Sequence, residues 1–158
     1  MKVEAIPVRE LVEECLRVKG SLAERSGISL EASIEDPRAF LHGDRRLLMT
    51  AVNNLIDNAM RNNRSGGKIS IAYRHDGTRE SIMVSDTGKG IPYDELRSIK
   101  DMFCWSGKRS IDELESVEDE LIGLSIVRDV ADLHGGRVGV RSLEGEGSTF
   151  SFHLPRRG

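Results

Sequence analysis

The sequence predicts an α+β, two-layer domain in which helices cover one face of a mixed, mostly antiparallel sheet. Two observations lead there. Stretches that alternate apolar and polar residues come largely as neighbouring pairs joined by short turns, the signature of antiparallel hairpins, and longer stretches with apolar residues three and four apart stand between them. Strands do not alternate one for one with helices, which argues against a doubly wound parallel sheet.

The elements follow in order. Val8, Leu11, Val12, Cys15 and Leu16 recur at helical spacing and predict an amphipathic helix over about 8–25, stopped by Gly27. ISLEASI, from Ile28 to Ile34, alternates as a half-buried strand, and Pro37 breaks it before a short AFLH segment. Asp44 is placed to cap a second helix, whose face Leu47, Leu48, Ala51, Leu55 and Ala59 runs to about Asn62. KISIAYR and ESIMVSD form a hairpin about the turn HDGT. Pro92 opens a short helix through Phe103, an irregular acidic stretch follows, and a last helix spans about 122–133, closed by Gly135 and Gly136. RVGVRSL and STFSFHL around EGEG make the closing hairpin. The 158 residues read as a single domain, without repeats or low-complexity segments.

Composition narrows the function classes. A net charge of -3 gives no general attraction for nucleic acid or an anionic membrane. Cys15 and Cys104 lie far apart without a metal-binding spacing, which speaks for a reducing, cytoplasmic setting and against a disulfide framework or zinc site. The first residues carry acids where a signal peptide needs an apolar run, and no stretch approaches membrane-spanning length, so direct membrane contact by these residues is not expected.

Two features carry chemistry. On the second helix Asn54, Asn58, Arg61 and Asn62 stand at i, i+4, i+7 and i+8, one stripe beside the apolar face. An amide oxygen is a hard neutral ligand suited to Mg²⁺, and a neighbouring arginine suits phosphate. The same stripe is also what the solvated side of an amphipathic helix looks like. The second feature is VSDTGKGIP, in which a strand runs into Asp86 and is followed at once by Gly88, Lys89, Gly90 and a helix-starting proline. A turn needs those residue types too.

Taken together in this order, HGDRRLLMTAVNNLIDNAMRN, VSDTGKGIP and GLSIVRDVADLHGGRVGVRSLEGEGSTFSFHLP resemble the ATP-binding domain of the GHKL superfamily, and within it the catalytic domain of sensor histidine kinases. The likeness covers nearly the whole chain. It implies that Asn58 ligates Mg²⁺, that Asn54 lies one turn before it near the phosphates, and that Arg61 contacts phosphate. Asp86 stands where the family's aspartate accepts a hydrogen bond from the adenine amine, with Gly88 and Gly90 letting backbone approach the ring. Asn62, Gly123, Leu124 and Thr149 fall at further nucleotide-contacting positions, and Lys89 reads as solvated. Residues at about 101–121 correspond to a mobile ATP lid, from which Lys108 and Arg109 would reach the γ-phosphate.

The sequence departs from the family at two places. The glycine-rich run that opens the last long helix reads DELIGL, keeping Gly123 but placing Asp119 and Leu121 where glycines are usual. The connector MFCWSGKRS keeps Phe103 but lacks the usual second aromatic and proline, with Trp105 as a possible substitute. None of His42, His75, His134 and His153 lies in a sequence resembling the family's phosphoacceptor.

The resemblance therefore implies a kinase domain that passes phosphate from Mg²⁺-ATP to a histidine on a dimerisation domain supplied elsewhere, with a response regulator downstream. A clamp-type ATPase of the same superfamily would place a glutamate where Asn54 stands, and an amide cannot accept a proton from water. The alternative from another class is a degenerate kinase-like module, with weak or no nucleotide binding, that acts through protein-protein interaction.

Overall fold

The structure is a computed structural model and describes residues 1–104 and 119–156. Its centre is a five-stranded sheet in the order β2-β4-β5-β7-β6, formed by β2 (Ser29–Ile34), β4 (Lys68–His75), β5 (Arg79–Asp86), β6 (Arg137–Leu143) and β7 (Gly147–Pro155). β2 runs parallel to β4, and every other pairing is antiparallel. The sheet is thus mixed and mostly antiparallel, as the alternation predicts.

Alternation decides which side chains point at the helices. Ile69, Ile71 and Tyr73 of β4, Ile82 and Val84 of β5, and Phe150, Phe152 and Leu154 of β7 are buried on one face. Against them pack α1 (Val8–Arg25), α2 (Arg45–Arg61), α3 (Tyr93–Cys104) and α4 (Asp119–Leu133), and one hydrophobic cluster runs through all these elements. α1 ends because Gly27 takes a left-handed φ of 69°, which lets Ile28 N–H reach Ala23 O and Gly27 N–H reach Glu24 O. Gly135, at φ 72°, ends α4 in the same way, with Gly136 N–H on Ala131 O.

Two features depart from the sequence reading. A short strand, β1 (Glu4–Pro7), pairs antiparallel with β3 (Phe40–Gly43), the segment expected only as an irregular AFLH stretch. Four residues are too few for a periodic signal, and the pairing partner is remote in sequence. α4 begins at Asp119, three residues sooner than about Ile122, so DELIGL lies within helix rather than ahead of it. The lid expected at about 101–121 falls mostly on residues 105–118, outside the described residues.

The β1-β3 ribbon delivers the chain to Asp44, whose carboxylate caps α2 by accepting from Leu47 N–H at 3.1 Å. Buried His134, at the end of α4, accepts Asp44 N–H on Nε2 at 3.0 Å and donates from Nδ1 to Val130 O at 2.7 Å. One neutral ring therefore ties the end of α4 to the start of α2, and these are the helices that flank the cleft described next.

Candidate functional site

β5 delivers Asp86 to the end of the sheet on the helix-facing side, with 7% of its surface exposed. Its Oδ1 accepts Gly88 N–H at 2.9 Å, whereas its Oδ2 is buried and has no hydrogen-bond partner. Burial pushes this carboxyl above the usual aspartate range, and the Gly88 and Ser148 N–H groups pull partly against that shift. A buried acceptor without a protein partner is costly unless water, an ion or a ligand completes it.

The glycines after Asp86 have a structural reason of their own. A Cβ on Gly88 would sit 2.0 Å from Asn62 O, and one on Gly90, at φ 72°, would sit 2.2 Å from Leu143 O. Lys89 N–H donates to Asn62 O at 3.1 Å and Gly145 N–H to Lys89 O at 2.6 Å. The loop is pinned between the end of α2 and the β6-β7 turn, so its glycines admit neighbouring backbone, whatever they also admit of a ligand.

α2 brings the polar stripe to the same place, but not as a solvated face. Asn58 is 2% exposed and Asn62 is buried beside it. Asn62 Nδ2 donates to Asn58 O at 3.0 Å and to Asn58 Oδ1 at 3.3 Å, while Asn58 Nδ2 is buried without a partner. Asn54 is half-buried one turn earlier. Arg61 is exposed, and among the described residues its guanidinium makes no ion pair; a Cβ on Gly123 would lie 4.0 Å from its Nη2. The stripe, Asp86 and the first turns of α4 thus converge.

Other expected residues do not join them. Leu124 is 1% exposed and its side chain belongs to the core. Thr149 points to the opposite face of the sheet, where its Oγ1 meets Ser85 Oγ at 2.9 Å. The residue across from Asp86 is Ser148, which is buried, with its Oγ 2.8 Å from Ser142 Oγ. Sequence reasoning missed Ser148, although parity could have found it: Phe150 and Phe152 point inward, so Ser148 does too. Asp86, Ser142, Ser148 and also Thr149 line an open depression of about 420 Å³. Lys108 and Arg109 lie outside the described residues.

For Mg²⁺ the donor set is sparse. No group of three or more His, Cys, Asp or Glu able to hold a metal occurs among the described residues. An ion held here would take an amide oxygen and fill its shell with phosphate oxygens and water.

Helices on one face of a five-stranded mixed sheet, with a buried carboxylate at a strand end whose Oδ2 has no protein partner, define an α+β domain with a candidate ligand site. The chain belongs to the histidine kinase-, DNA gyrase B- and HSP90-like ATPase family, whose model matches residues 43–158. It is 35% identical over 84% of its length to the alginate biosynthesis sensor protein KinB of Pseudomonas aeruginosa, covering 21% of that protein. It is 32% identical over 93% of its length to the histidine protein kinase DivJ of Caulobacter vibrioides, covering 24% of it. The chain therefore spans about a fifth to a quarter of the length of these relatives. In fold it is similar to the catalytic domain of histidine kinase ThkA, with a TM-score of 0.80 at 22% identity, covering 98% of this chain and 96% of that one. No described helix is long and apolar enough to cross a membrane.

Proposed function

We propose that this chain is the ATP-binding catalytic domain of a two-component sensor histidine kinase, working on the cytoplasmic side. The observation that carries the reading is Asp86 Oδ2, an acceptor that is buried, unpartnered and fixed at a strand end. The exocyclic amine of adenine supplies the donor it lacks, and the depression lined by Ser142 and Ser148 takes the ring beside it.

From that anchor the phosphates extend toward α2. Asn58 Oδ1, with Asn54 one turn away, would hold Mg²⁺ through its amide oxygen, and Arg61 would meet phosphate with its exposed guanidinium. The metal, when bound, neutralises charge on the β- and γ-phosphates. Asn54 cannot serve as a base, so the domain positions the nucleotide instead of activating water. The reaction is then attack by an imidazole nitrogen of a separate dimerisation domain on the γ-phosphorus. The bond to the bridging oxygen breaks, ADP leaves, and the phosphoryl group later passes to a response regulator.

A second reading keeps the fold but not the catalysis, as a kinase-like module that docks a partner. It is favoured by the helical start of α4 at Asp119, which leaves helix where a glycine-rich phosphate loop is usual. Calorimetric titration of ATP with and without Mg²⁺ separates the two. The kinase reading expects Mg²⁺-enhanced binding that Asn58→Ala removes, followed by phosphotransfer to an added dimerisation domain; absence of ATP binding under both conditions would leave the docking module.

A further inference from the structure

The end of the sheet away from Asp86 carries an unexplained cluster on the face that no helix covers. Arg137 of β6 lies directly across from His153 of β7, and Ser81 of β5 lies across from His153 on its other side. Arg79 is two residues before Ser81 and therefore projects from the same face, diagonal to His153. Two guanidinium groups thus flank one imidazole. Together with Thr78, Gly135, Gly136 and Pro155 they line a cavity of about 240 Å³.

The one carboxylate among the described residues that acts on this cluster is Asp76, a single negative charge against two guanidinium groups. Among the described residues neither Arg79 nor Arg137 has an ion pair. Asp76 also holds the β4-β5 turn, where Oδ1 accepts from Thr78 N, Thr78 Oγ1 and Arg79 N at 3.0, 2.9 and 2.8 Å. Those bonds pull Asp76 down to about 2. His153 Nδ1 is taken by Ser81 Oγ at 2.7 Å, which leaves Nε2 free above Gly139, whose Cβ position is 4.0 Å from it. Burial and then the charges of Arg79 and Arg137 hold His153 below the usual histidine range, against a smaller upward pull from Asp76. Two guanidinium groups against one carboxylate leave a net positive charge, and arginine forks suit a pair of oxygens on a carboxylate or phosphate.

We propose that Arg79, Arg137 and His153 form a binding site for a small oxyanion, a phosphate or a carboxylate, on the open face of the sheet. The site is distinct from the one at Asp86. Arg79 and Asp86 stand seven positions apart on β5, roughly 24 Å at about 3.4 Å per residue. The anion sits between the guanidinium groups and accepts from His153 Nε2–H. Its occupancy is linked to the charge of His153, because an anion favours the imidazolium.

The test is NMR of the His153 ring in the whole chain, titrated with inorganic phosphate and, in a second arm, with acetate, each against chloride at matched ionic strength. A saturable shift of the ring resonances and a rise in the His153 titration midpoint are expected. Both effects should vanish in the Arg79→Gln/Arg137→Gln variant, whose substitutions lie on the open face and should leave the fold and ATP binding unchanged. Response in one arm alone identifies that oxyanion as the ligand class, and response in both identifies a site for either. A change that never saturates, one that persists in the double variant, or no response in either arm overturns the proposal.

Discussion

Around Asp86 every neighbour is fixed: Gly88 N–H holds one carboxylate oxygen, Asn62 O holds the loop from one side, and the β6-β7 turn holds it from the other. Around Arg61, on the same cleft, the side chain is exposed beside the first turns of α4 and has no ion pair among the described residues. The contrast separates two jobs. Recognising a base needs a rigid acceptor that excludes water, whereas meeting phosphates needs charge that can follow its ligand, and long-range attraction tolerates looser geometry. One end is built before the ligand arrives, and the other is completed by it.

The sharpest way to break the rigid end is to fill it. Gly88→Ala places a methyl carbon 2.0 Å from Asn62 O, and Gly90→Ala adds one 2.2 Å from Leu143 O at a positive φ. Both contacts are with backbone, which cannot step aside as a flexible side chain does. Each substitution should cost about 1–3 kcal/mol of stability, and thermal melting of the two variants checks this. A melting temperature unchanged by either would mean that the loop is not pinned.

The loose end should respond differently. Arg61→Gln should weaken ATP by about 1 kcal/mol, more at low salt than at high, and leave adenosine binding and the melting temperature unchanged. Paired titrations with ATP and adenosine at two ionic strengths read this out. Equal losses for both ligands would place Arg61 at the base end, or in the fold.

Much of this division was legible in the sequence, and the illegible part has a physical cause. The boundaries of α1, α2 and the two hairpins follow from periodicity and from Asp44, Gly27 and Gly135, which act locally. The aspartate at the strand end was also legible. What periodicity could not supply was depth: Asn58 belongs to a polar stripe yet is 2% exposed, because α4 and the sheet close over that side of α2. Gly88 and Gly90 looked like room for a ligand, and their contacts are with segments far along the chain. Thr149 was named and Ser148 was not, although the inward phenylalanines place Ser148 on the helix-facing side and Thr149 on the other. β1 escaped because a four-residue strand exists only through its partner.

A smaller effect comes from pH. The folded Asp86 carboxyl titrates above its unfolded range, so the native state holds its proton more readily. Its burial therefore costs stability at neutral pH, and that cost is relieved as pH falls through the folded titration toward the unfolded one. Adenosine binding should move the opposite way, because the ionised carboxylate is the stronger acceptor for the amine. Affinity should decline on acidification at a higher pH than an ordinary aspartate would dictate, and Asp86→Asn should flatten that decline. Calorimetry of adenosine across the acidic range checks both signs.

The central claim is that Asp86 Oδ2 reads the amine of adenine. The most direct measurement is the affinity of ATP against inosine triphosphate, which carries a carbonyl where adenine carries its amine, for the parent chain and for Asp86→Ala. The parent should prefer ATP, and the variant should lose about 1–3 kcal/mol of ATP binding together with that preference. An Asp86→Ala chain that binds ATP as tightly as the parent, or a parent that does not distinguish the two nucleotides, would contradict the account.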